Sequence, residues 1–190
     1  MSPIAPSRRR LLESLIAAMG SLALPSLYAA TPPAPLLTRP IPSSGEQLPV
    51  IGLGSWITFN VGRDPQGRRE SVDVMRQFFA GGGRLVDSSP MYGSAQDVIG
   101  EAVQALKPAR LFAADKVWVS GGARGVAQVE ASRKLWRVPR FDLLQVHNLL
   151  SWEEHLPLLL AMKREGRLRY VGITTSEGRR HAEIEKIMAS

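Results

Sequence analysis

Short apolar runs alternate along the chain with stretches whose apolar residues fall at helical spacing. Leu48-Pro49-Val50-Ile51-Gly52-Leu53-Gly54 predicts a first strand opening into a loop. Residues 70–79 are apolar at 72, 74, 75, 78 and 79, one face of a helix, which Gly81-Gly82-Gly83 then stops. A strand over 84–87 and a helix over 95–106 follow, the helix carrying Val98, Ile99, Ala102, Val103 and Leu106 on one face. The pattern repeats as a strand at 111–116, a helix at 126–136 and a strand at 141–147. Ser151 with Glu154 fits a capping box opening a fourth helix, which Pro157 would bend and Gly166 would end. Residues 168–174 predict the fifth strand and 179–188 the fifth helix.

Five strand–helix units of nearly even spacing argue for a parallel sheet covered by helices. A doubly wound nucleotide fold is the competing architecture. It usually carries a glycine fingerprint between its first strand and helix, and Gly52-Leu53-Gly54-Ser55-Trp56 lacks the third glycine.

Three of the apolar runs close on a polar residue: Asp87, Lys116 and His147. Lys116 follows Asp87 by 29 residues and His147 follows Lys116 by 31, each separation suiting one unit. Parallel strands put such ends on one face, where βα barrels keep their chemistry. Tyr92 lies five residues beyond Asp87, on the loop leaving the same strand. An ammonium beside a phenol favours the phenolate, and a carboxylate paired with the ammonium limits the cost of burying it. With an imidazole to orient a carbonyl, the set suits protonation of a carbonyl oxygen while hydride reaches carbon. None of the four is a hydride source, so a reduced nicotinamide is required.

Ahead of these units, Ser7-Arg8-Arg9-Arg10-Leu11-Leu12 precedes an apolar stretch from Ser14 to Ala30. Basic residues, an apolar region and small residues in that order predict an export signal over residues 1–30, of twin-arginine type, and hence a periplasmic or exported protein. A membrane anchor is the alternative, although Gly20, Ser21, Pro25 and Ser26 interrupt the run and make it a poor span. Thr31 to Pro42 contains five prolines, so 31–47 reads as a linker and lead-in, leaving 48–190 as the folded domain. Without cysteine there are no disulfides or thiolate metal ligands, and no metal site is expected. The net charge of +7 is spread over helix faces without interleaved aromatic residues, which argues against a nucleic-acid partner.

Several stretches resemble the aldo/keto reductases. Leu48 to Trp56 is similar to the family's opening strand, and Val86-Asp87-Ser88-Ser89-Pro90-Met91-Tyr92-Gly93-Ser94 to its Asp-to-Tyr signature. Asp115-Lys116-Val117-Trp118 resembles the lysine strand, and Asp142-Leu143-Leu144-Gln145-Val146-His147-Asn148 the histidine strand. Lys163 to Ile173 resembles the approach to the fifth strand.

The resemblance implies an α/β fold of the (β/α)8 TIM-barrel type with about five of eight units present. It also implies an NADPH-dependent reduction of an aldehyde or ketone. Tyr92 would be the general acid, Lys116 and Asp87 would tune it, and His147 would orient the carbonyl. Asp87, Asn148 and Thr174 would contact the cofactor, and Trp56, Trp118 and His147 the substrate. Thr174-Thr175 stands where many members have Ser-Asn.

Such a barrel typically takes about 250 residues. A truncated product, a fragment completed by another chain or a second copy, and an open sheet acting alone are the alternatives. A non-catalytic fragment and a reductase-like binding module are the competing functions.

Overall fold

A computed structural model of the chain describes residues 36–176, 178 and 180–189. The expected export signal and the first part of the proline-rich segment lie outside the described residues. No helix among the described residues is long and apolar enough to cross a membrane.

The expected linker is in part a hairpin. Strands β1 (Thr38–Pro40) and β2 (Gln47–Pro49) pair antiparallel, with Thr38 opposite Pro49 and Pro40 opposite Gln47. The single strand expected over 48–54 is therefore two. Its first half belongs to the hairpin, and β3 (Leu53–Gly54) begins a separate parallel sheet. The break falls near Gly52, where a Cβ would sit 2.7 Å from the Leu85 side chain, so a larger residue would require that leucine to shift.

The main sheet has five parallel strands in sequence order: β3, β4 (Leu85–Asp87), β5 (Phe112–Val117), β6 (Phe141–His147) and β7 (Leu168–Thr174). Helices α1 (Pro65–Ala80), α2 (Ala95–Leu106), α3 (Gly122–Trp136) and α4 (Trp152–Arg164) fill the crossovers, and α5 (His181–Met188) follows β7. This is an α/β fold, a partial barrel.

Two helices begin before the apolar periodicity does. At α1 the signal is local chemistry: the Asp64 side chain accepts from the Gln66 and Gly67 N–H groups, and Pro65 occupies the first turn. The capping box expected at 151–154 does not form. Ser151 caps α4 with φ 48° and no side-chain bond, because Glu154 instead accepts from the Gly122 N–H of α3 at 2.7 Å.

Strand pairing sorts residues into two faces. Gly54, Asp87 and Ala114 are level across β3, β4 and β5. Lys116 is level with Gln145 and Gly172, and His147 with Thr174. These positions share one parity and point to the barrel's inner side. The other parity, with Val86, Ala113, Val117, Leu144 and Val146, is buried against the helices. At the start of β6, Trp136 of α3 meets Phe141 edge-on, and α2 comes so near α3 that a Cβ on Gly100 would lie 1.9 Å from the Leu135 carbonyl oxygen.

The hairpin docks at the amino-terminal end of the sheet through one acid. Glu46 accepts from Arg84 at 2.9 Å, from the Tyr170 hydroxyl at 3.0 Å and from Arg169. Arg169 also donates to Asp142 at 2.7 Å, and Ser44 shares a 2.7 Å hydrogen bond with Tyr170. Burial pushes the Glu46 carboxyl up, but these donors outweigh it and hold the group below its ordinary value. Glu46→Ala is expected to cost roughly 1.5–3 kcal/mol, the range for hydrogen bonds to a charged group, read as a lower urea midpoint for the full chain.

Candidate active site

The same-parity strand ends bring the expected cluster together. The Lys116 ammonium is 2.5 Å from Asp87 Oδ2 and donates to the Ser88 carbonyl at 2.9 Å, with its side chain only 7% exposed. It also lies over the Tyr92 ring, 5.4 Å from the centroid. Tyr92 reaches that position because its loop turns at once: the Tyr92 N–H returns to the Ser89 carbonyl, and Tyr92's own carbonyl accepts from Ala95 at the start of α2.

Asp87 is braced twice more. Its backbone carbonyl accepts from Ser55 at 2.9 Å, and Oδ1 is 3.5 Å from the Gln145 amide nitrogen. Neither Ser55 nor Gln145 was marked by the sequence. Gln145 could have been, since it occupies the inward position two residues before His147.

His147 is buried at the end of β6 and meets Trp118 edge-on, with ring centroids 5.1 Å apart. Its Nδ1 has no partner among the described residues. Burial lowers the imidazole's pKa and the Lys116 ammonium lowers it further, against a smaller opposing pull from Asp87. The ring is therefore neutral at neutral pH, able to donate from one nitrogen and accept at the other.

Trp118 is fixed by its backbone. Gln128 of α3 accepts from its N–H at 2.7 Å and donates to its carbonyl at 3.3 Å. Next door, His155 Nε2 bonds the Val119 carbonyl at 2.7 Å. Trp56 stands apart on the loop after β3, 65% exposed, with no ring contact to Tyr92 or His147 among the described residues.

Asn148 and Thr174 flank His147. The Asn148 N–H donates to the Thr174 carbonyl at 2.7 Å, and its side-chain oxygen accepts from the Ser176 N–H and hydroxyl. Asn148, Leu149 and Ser151 all take positive φ, an unusual concentration outside glycine. Arg180 holds this turn by donating to the Asn148 and Leu149 carbonyls, each at 3.0 Å. Strained backbone beside a reactive side chain is a recurring mark of functional sites.

The aldo/keto reductase family pattern matches residues 50–189, most of the chain. The chain belongs to the aldo/keto reductase family. Aldo-keto reductase YhdN of Bacillus subtilis is 27% identical, the match covering 70% of this chain and 45% of that protein. Among solved structures, an aldo/keto reductase from Brucella melitensis superposes with a TM-score of 0.65 at 21% identity, covering 82% of this chain and 60% of that one. One from Klebsiella pneumoniae, in complex with NADP and acetate, gives 0.58 at 24% identity, covering 68% and 46%. The chain thus spans about half the length of the reductases it matches.

The imidazole assignment is open to direct measurement. Nuclear magnetic resonance of the His147 ring is expected to give a titration midpoint below the ordinary histidine value of about 6.5. A midpoint at or above it would contradict the burial and charge described here.

Proposed function

We propose that the chain reduces an aldehyde or ketone carbonyl with NADPH as hydride donor, Tyr92 serving as general acid. The observation that carries this reading is the buried Lys116 ammonium, paired with Asp87 and seated over the Tyr92 ring. A cation held there stabilises the phenolate left when the tyrosine gives up its proton. The pairing with Asp87 keeps the lysine in place between turnovers.

The donor set fits a nicotinamide. Asn148 and Thr174 stand beside His147 at the carboxyl ends of β6 and β7, and Asp87 ends β4 on the same inward register. Bound NADPH supplies the hydride, the chemistry that the side chains lack. Tyr92 donates its proton to the carbonyl oxygen, completing the alcohol, and recovers a proton from solvent. His147, neutral, hydrogen-bonds the carbonyl oxygen and sets its direction toward Tyr92. Trp118, edge-on to the imidazole, supplies an apolar wall for the substrate.

The test is NADPH oxidation with an aromatic aldehyde or a quinone. Tyr92→Phe is expected to lower kcat by about 100-fold or more, the usual worth of a positioned general acid, while the folded far-ultraviolet spectrum is unchanged. Equal rates for wild type and variant would remove Tyr92 from the mechanism.

A further inference from the structure

Directly behind the lysine lies a second carboxyl group that the proposed mechanism does not use. Asp115 precedes Lys116 on β5, has the opposite parity and is fully buried on the helix side of the sheet. Its Oδ1 accepts from the Lys116 backbone N–H at 2.8 Å, and its Oδ2 from Gln96 Nε2 of α2 at 2.7 Å. The same amide nitrogen donates to the Ser132 hydroxyl of α3 at 2.9 Å. The neighbouring Lys116 ammonium is turned to the other face, where Asp87 and the Ser88 carbonyl hold it.

Both hydrogen-bond partners of this carboxylate are donors, and neither is charged. That arrangement is complete while Asp115 is ionised and fails once it is protonated, because an O–H on Oδ2 would face an N–H. One partner can change polarity. The two ends of a carboxamide are nearly equal in size, so Gln96 can turn over within the space it fills. Its oxygen would then accept from the Asp115 O–H and from the Ser132 O–H, a hydroxyl being able to donate as readily as accept. The bonds that link Asp115, Gln96 and Ser132 can therefore be made in either of two directions, one for each protonation state of Asp115.

We propose that Asp115 is a positioning residue for Lys116, and that its proton uptake is coupled to reversal of the Gln96 amide. The bond from the Lys116 N–H to an ionised carboxylate is stronger than one to a neutral carboxyl. Ionisation thus tightens the strand end that carries the ammonium and adds a second negative charge beside it. Its functional meaning rests on the role proposed for Lys116; the switch itself does not.

The surroundings leave Asp115 poised to titrate. Burial pushes its carboxyl up to about 7, opposed by the Lys116 N–H, the Gln96 amide and the lysine charge, with Asp87 adding a further upward push. From the elements packed against it, β6 presents Leu144, α2 presents Gln96 and α3 presents Ser132. The other acids of those helices are taken up elsewhere: Asp97 and Glu101 by Arg68, and Glu130 by Arg133 and Arg167.

The test follows the Lys116 backbone amide and the Gln96 side-chain amide of the full chain by nitrogen-15 resonance between pH 5 and 9. Both are expected to shift together with one midpoint near 7. Asp115→Asn, isosteric and uncharged, should abolish both shifts. Gln96→Leu should move the Lys116 midpoint upward by roughly one pH unit, since the carboxylate loses a donor. Signals that stay flat in wild type, or that still titrate in the Asp115→Asn chain, would overturn the proposal. Tyr92→Phe should leave the titration intact, so an absence of turnover would count against the reductase reading and not against the switch. In an active chain, the kcat/KM profile should carry the same inflection and the Asp115→Asn profile should lack it.

Discussion

A lysine ammonium removed from water needs a partner, and the pairing of Lys116 with Asp87 is the constraint around which this structure is arranged. A buried charge left alone costs several kcal/mol. The acid must therefore come from a neighbouring strand at the correct height. The parallel register of β4, β5 and β6 meets that requirement by stepping each functional residue two positions along from the last. Such a stagger is the geometric requirement of a tilted barrel wall. The slope that lets the sheet curve also brings an acid, an ammonium and an imidazole toward one centre.

The same period of two separates two chemistries on β5. Lys116 faces inward to the cluster, while Asp115 faces the helices and is met by an amide and a hydroxyl. The helix layer thereby touches the site electrically as well as sterically. Trp118 shows a mechanical version of that support, since Gln128, Glu154 and His155 secure the turn that carries it and orient it on His147.

Much of this was legible in the sequence because apolar periodicity reports burial directly. Strands 141–147 and 168–174 and the helix at 95–106 stand where their patterns put them. What was misread depended on long-range contacts. The hairpin segment up to residue 47 looked like a proline-rich linker because its strands are short and carry no apolar pattern, and its main attachment is Glu46 to arginines far along the chain. Ser151 and Glu154 have the spacing of a capping box, yet an orphan N–H on α3 claimed the glutamate. Among site residues, Asp87, Lys116 and His147 could be found because polar residues ending apolar runs are conspicuous, and Tyr92 because it lies on the loop that leaves Asp87. Gln145 shares the inward register of His147 and could have been found by that period of two, whereas Gln96 and Ser55 could not, since an isolated amide or hydroxyl carries no signal until its partner is known.

Glu46 and Arg169 are 123 residues apart in sequence, and their contact draws the hairpin onto the last strand of the sheet. Closing so long a loop carries an entropic cost that local pairing cannot offset early in folding. The turn containing Glu46 belongs to a local hairpin, whereas its docking joins that hairpin to β7. The carboxylate is thus a long-range clasp, fastening a local hairpin to β4 and β7 at once.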